Sequence, residues 1–98
     1  MGTNPLATCP CCGYRTISES FEICEICAWE YDPYRQNIDP DAGGGPNQMS
    51  LRIAQANFKR IGAKGELSLD LVRPPEEGDE RDESWKPLEQ KQSKSRET

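Results

Sequence analysis

The chain has 98 residues, 34% of them apolar and 30% charged, with a net charge of −5. That length permits one domain, and so polar a composition excludes a large hydrophobic core; domains of this kind often lean on a metal or on disulfides to stay folded. The acidic balance, with no block basic enough to form a nucleic-acid footprint, argues against binding to phosphate backbones through charge alone.

The first residues, Met1 to Leu6, carry neither a basic run nor an apolar stretch of signal-peptide length, and no segment approaches the ~20 apolar residues of a membrane span. A cytoplasmic protein with no membrane association is the expectation. In a reducing compartment, closely paired cysteines serve metals or redox chemistry rather than structural disulfides. Residues 1–8 read as a leader.

All five cysteines fall between Cys9 and Cys27. Tyr14–Ile17 and Phe21–Cys24 are short β-favouring runs around Ser18-Glu19-Ser20, which reads as a hairpin between the cysteine pairs. Ala28–Asp32 alternates apolar and acidic residues as a half-buried strand does. Prolines and glycines break residues 33–48 into loop. Ser50 is a good N-cap, Leu51, Ala54, Phe58 and Ile61 share one helical face, and Gly62 is placed to end the helix. A helix of about eleven residues is marginal alone and must dock. Leu67–Leu71 alternates as a strand would, and Pro74-Pro75 closes it. Residues 9–75 therefore form the metal-stabilised domain and 76–88 a partly ordered extension. Residues 89–98 form a disordered tail, too poor in apolar side chains to offset ordering entropy.

Cys9 and Cys12 are two residues apart, as are Cys24 and Cys27, and eleven residues separate the pairs. A C-x2-C turn aims two sulfurs at one point, and Gly13 follows the first pair where positive φ helps the turn. Four converging thiolates select zinc or iron. The expected site is therefore one Zn²⁺ per chain on Cys9, Cys12, Cys24 and Cys27, with iron as the alternative ion. Protein fills all four corners, which makes the metal structural. The chain has no histidine, the commonest general base, so no catalytic residue is assigned and an enzyme is not expected. Cys11 is left over as a non-ligand thiol beside the metal, either buried or exposed, with a reactive or metal-sensing thiol as the sharper reading and replacement of Cys9 or Cys12 as a ligand as the other alternative.

Cys9-Pro10-Cys11-Cys12-Gly13-Tyr14-Arg15-Thr16, Glu22-Ile23-Cys24 and Cys27-Ala28-Trp29-Glu30 resemble the cysteine-rich CPCC family. So do Pro40-Asp41 through Gly45 and Asn47, Ser50-Leu51, Ala54 through Phe58, Val72 through Pro75, Arg81-Asp82 and Trp85. The chain departs from the family pattern at Glu25-Ile26, where Pro-Val is common, and at Ile53, where an acidic capping residue is common. The resemblance implies a small, mostly bacterial, stand-alone protein with a zinc-ribbon or rubredoxin-like knuckle. It adds no biochemical task.

Glu30, Asp32, Asp39 and Asp41 read as a solvated turn-rich loop rather than a Ca²⁺ site, because their spacing misses the alternating ligand pattern. Trp29 and Trp85 read as packing residues, with recognition by Trp29 as the alternative. Arg52, Lys59, Arg60 and Lys64 make a modest basic cluster on or near the helix, read as a solvated face. The fold expected is small α+β, a zinc-ribbon-like double knuckle with a β-hairpin, one docked helix and a flexible C-terminal tail. The function expected is a monomeric zinc-stabilised module that binds a protein partner. The alternatives are a nucleic-acid-binding zinc ribbon and a rubredoxin-like iron or thiol redox protein.

Overall fold

The computed structural model describes residues 6–88. The tail read for residues 89–98, like the first five residues of the leader, lies outside the described residues. Two short antiparallel strands, β1 (Ala7–Thr8) and β2 (Arg15–Ile17), are followed by helix α1 (Leu51–Ile61) and a 3₁₀ helix (Glu66–Leu71). This is a small α+β, zinc-ribbon-like fold built around a cysteine cluster. Among the described residues no helix is long and apolar enough to cross a membrane.

Each C-x2-C pair is the turn of its own hairpin. β1 and β2 pair across Cys9–Cys12, with Ala7 opposite Ile17 and Thr8 opposite Arg15. Across Cys24–Cys27, the Phe21 N–H donates to the Tyr31 carbonyl, the Tyr31 N–H to Glu22, and Ile23 bridges Glu30. The hairpin expected between Tyr14–Ile17 and Phe21–Cys24 is thus replaced by two hairpins, one around each knuckle. The reason is local: the residue after each pair has positive φ, Gly13 at 84° and Ala28 at 73°, and this folds the chain back immediately. Ala7 and Thr8, the end of the segment read as leader, belong to the first hairpin.

α1 forms where its capping residues dictate. The Ser50 side chain accepts from the Ile53 N–H, and Gly62, at φ 83°, donates its N–H to the Phe58 carbonyl. Leu51 and Ala54 are buried against the cysteines, Ile17, Ile26 and Trp29, with Phe58 half-buried beside them. Gln55 is buried too, for polar reasons described below.

The strand expected at Leu67–Leu71 is a 3₁₀ helix instead. No described strand lies alongside to accept its hydrogen bonds, so the backbone satisfies itself locally, as in Ser68 N–H to the Gly65 carbonyl. Its leucines face outward: Leu67 is 88% exposed.

The loop of residues 33–48 is pinned by side chains. The Asp32 carboxylate accepts the N–H groups of Tyr34, Arg35 and Gln36, and Asn37 accepts the Trp29 indole N–H at 2.9 Å. Gln36, fully buried, donates to the carbonyls of Ala42, Asn47 and Met49. Asn47, also fully buried, exchanges hydrogen bonds with the Glu30 N–H and carbonyl and accepts from Lys64 Nζ at 2.9 Å. With no exposed surface and a satisfied N–H, Trp29 is a core residue, not a recognition aromatic.

Candidate metal centre

The two knuckles superpose in sequence with an offset of fifteen residues, and their hydrogen bonds repeat with it. The Cys9 N–H donates to the Tyr14 carbonyl and the Cys24 N–H to Trp29, both at 2.9 Å. The Gly13 N–H donates to the Cys9 carbonyl and the Ala28 N–H to Cys24, both at 2.8 Å. This near-identity places Cys9, Cys12, Cys24 and Cys27 in one buried cluster whose Sγ atoms all lie within 4.8 Å of one another.

The separations match a tetrahedral ion. A metal–sulfur bond of about 2.3 Å sets the sulfur–sulfur edges at about 3.8 Å. The Cys9–Cys27 and Cys12–Cys24 sulfurs stand 3.5 and 3.7 Å apart, and every cysteine is free of disulfide. The Thr16 hydroxyl (3.1 Å) and the Ile26 N–H (3.4 Å) donate to the Cys24 sulfur, a pattern suited to a thiolate. Burial pushes the Cys9 and Cys27 thiols up, whereas hydrogen bonds from Cys12, Cys27 and Cys9, with Thr16 adding to them, pull Cys24 down. So many buried sulfurs cannot all ionise side by side without a cation to offset their charge. The donor set therefore fits a bound metal ion.

Cys11 stands at the position that Ile26 occupies in the second knuckle, and both are buried, at 1% and 0% exposure. An apolar side chain fills this place equally well, so Cys11 packs as a small hydrophobe outside the cluster of four.

The second position of each knuckle is tied to a distant part of the chain. The Pro10 carbonyl accepts from Gln55 Nε2 at 2.8 Å and from the Trp85 indole at 3.1 Å. The Glu25 carbonyl accepts the Arg73 N–H at 3.1 Å, and the Cys27 carbonyl accepts the Lys64 N–H at 2.8 Å. Gln55 Oε1 in turn accepts the Leu88 N–H, so one side chain ties α1 to both the first knuckle and the C-terminal segment. The Lys64 ammonium is shifted down mainly by burial, opposed by the fields of Glu30, Cys27 and Cys11.

Electrostatic clasps complete the frame. Arg73 bridges Glu25 and Asp79, and hydrogen bonds from Arg73 and the Glu76 N–H hold the Asp79 carboxyl at about 2. Asp82, also at about 2, accepts from the Thr8 hydroxyl at 2.6 Å and from Ser84, and stands 3.4 Å from Arg15.

Sequence reasoning named the four cluster residues and read Trp85 as a packing residue, but gave neither Gln55 nor Trp85 its tie to the Pro10 carbonyl. Gln55 stands one step from the apolar stripe of α1, the only signal it offers. Trp85 gives a weak one, as a large aromatic in an otherwise charged segment.

Fold and cluster together define a small metal-binding domain with four cysteines at a single centre. The family model for cysteine-rich CPCC proteins matches residues 7–79, and the chain belongs to that family. No curated protein matches the sequence significantly.

Proposed function

We propose that the cluster holds one zinc ion in a structural role and that the domain it stabilises is a protein-binding adaptor rather than an enzyme. The observation that carries the metal reading is the buried set of four sulfurs, all within 4.8 Å of one another, with the Cys9–Cys27 and Cys12–Cys24 separations of 3.5 and 3.7 Å close to a tetrahedral edge. When bound, zinc supplies cross-linking energy: metal-coupled folding of comparable sites is worth about 10–16 kcal/mol, as much as the whole stability of a typical domain. The chain's part is to present four thiolates from two rigid turns, donate hydrogen bonds to Cys24 and cover the site with α1. Iron would fit the same donors, and elemental analysis of gently purified protein distinguishes the two. Protein containing neither metal would refute the reading.

The state of the basic cluster favours a protein partner over nucleic acid. Arg52 pairs with Asp41, Arg60 lies 3.9 Å from Glu66, and Lys64 is turned to Asn47. Phosphate binding grows with the number of cations that can displace counterions, and these three are already engaged within the protein. Pull-down from native lysate is expected to retain a protein, while labelled DNA and RNA titrated at physiological salt bind weakly. Submicromolar nucleic-acid binding that weakens on charge removal at Arg52, Lys59 or Arg60 would overturn the adaptor reading.

A further inference from the structure

Beside the first knuckle, between α1 and the C-terminal segment, lies a half-open groove of about 430 Å³. Tyr14, Phe58, Trp85 and Leu88 give it apolar walls, and Lys59 and Arg81 stand along it. None of the described residues lining it is acidic, in a chain whose net charge is −5.

The two cations of the groove are not neutralised there, as several others in the chain are. Arg15, Arg52, Arg60 and Arg73 each have a carboxylate partner. Among the described residues Lys59 and Arg81 have none; the Arg81 guanidinium lies over the rings of Tyr14 and Trp85, at 6.0 and 5.6 Å. A guanidinium held over aromatic rings beside an apolar wall is set in place with its N–H donors uncommitted.

The chain's own C-terminus does not complement this surface. The ten residues after Leu88 contain no aliphatic or aromatic side chain and carry three basic against two acidic groups. Stacked bases fit poorly too, because the Trp85 ring already contacts Gly13 and lies under Arg81. We propose that the groove binds an extended segment of a partner protein in which apolar side chains are flanked by Asp or Glu. This inference rests on the protein-binding reading above and names its surface. Apolar anchors would enter between Phe58, Trp85 and Leu88, and the flanking carboxylates would meet Lys59 and Arg81.

The test selects a random dodecapeptide phage library on the zinc-loaded full chain. It then measures a labelled selected peptide by fluorescence polarisation on the wild-type protein and on Lys59→Glu and Lys59→Glu/Arg81→Glu variants. Both positions are exposed, and retained zinc and circular dichroism confirm folding of the variants. Selected peptides are expected to combine apolar residues with Asp or Glu. Their binding should weaken at least tenfold in the double variant and fall with added salt. Failure to enrich any peptide, enrichment of neutral or basic ones, equal binding by the double variant, or displacement by a thymidine oligonucleotide would each overturn the groove assignment. A native partner captured equally by the wild-type and double-variant proteins would overturn the groove while leaving the adaptor reading intact. Capture of no partner, together with no enrichment, would end both.

Discussion

Substituting Gly13 by alanine tests the coupling between the first knuckle and the C-terminal segment. Gly13 has φ 84°, and a Cβ built there lies 2.4 Å from Trp85 Cε3 and 2.7 Å from Cδ2. Two separable penalties follow. Left-handed backbone costs an L-residue about 1–2 kcal/mol. Displacing the indole breaks its bond to the Pro10 carbonyl, worth about 1 kcal/mol, and adds overpacking strain of about 1–3 kcal/mol. The total, about 3–6 kcal/mol, is a large share of the stability of so small a domain. The second knuckle supplies an internal control: Ala28 occupies the equivalent position at φ 73°, so a Cβ there is tolerable where no ring opposes it. In a Trp85→Ala background Gly13→Ala should therefore cost only the backbone part, about 1–2 kcal/mol, leaving a coupling of about 2–4 kcal/mol in the double-mutant cycle. Chemical denaturation of zinc-loaded proteins, followed by far-ultraviolet circular dichroism, measures all four corners of the cycle. Equal costs in the two backgrounds would refute the claim that Trp85 packs on this glycine.

The remaining predictions concern the metal, the loop and pH. Cys12→Ser and Cys24→Ser should lose the metal, whereas Cys11→Val, which imitates Ile26 of the other knuckle, should keep it; elemental analysis decides, and metal loss in Cys11→Val would mean the ligand set is misassigned. Removing metal with a strong chelator should abolish amide protection in residues 9–31 by hydrogen exchange, and persistent protection would refute a structural role. Asn47→Ala leaves the Glu30 backbone and the Lys64 ammonium without their partner; a loss of about 2–4 kcal/mol is expected in urea denaturation, and a loss under about 0.5 kcal/mol would mean the network contributes little. The Asp82 carboxyl, at about 2 in the folded chain, lies below the unfolded value of about 3.9. Its stabilisation is therefore complete above the unfolded value and fades as pH falls toward 2. The stability gap between wild-type and Asp82→Asn proteins should narrow from pH 6 to pH 3.5, and a constant gap would contradict the assignment.

Several features were legible because they depend on neighbours in sequence. A C-x2-C turn brings its two sulfurs together through two intervening residues, so Cys9, Cys12, Cys24 and Cys27 announced one centre. Ser50 and Gly62 bound α1 because capping acts within one helical turn. The loop from 33 to 48 followed from its glycines and prolines, although nothing local revealed that Gln36 and Asn47 pin it from inside.

The cysteine spacing and the helix signals thus determined by themselves that this chain builds a four-sulfur centre and one docked helix. Tertiary structure decided which strands pair, what becomes of Leu67–Leu71 and what closes over the first knuckle. β-pairing depends on which backbone comes alongside, so the run at Phe21–Cys24 turned from Tyr14–Ile17 to its own knuckle, and Leu67–Leu71, with no described strand beside it, coiled into a 3₁₀ helix. The Pro10 carbonyl is reached by residues 45 and 75 positions away, Gln55 and Trp85. Such contacts form only once the whole chain has closed, because nothing in the local sequence at either end specifies the other.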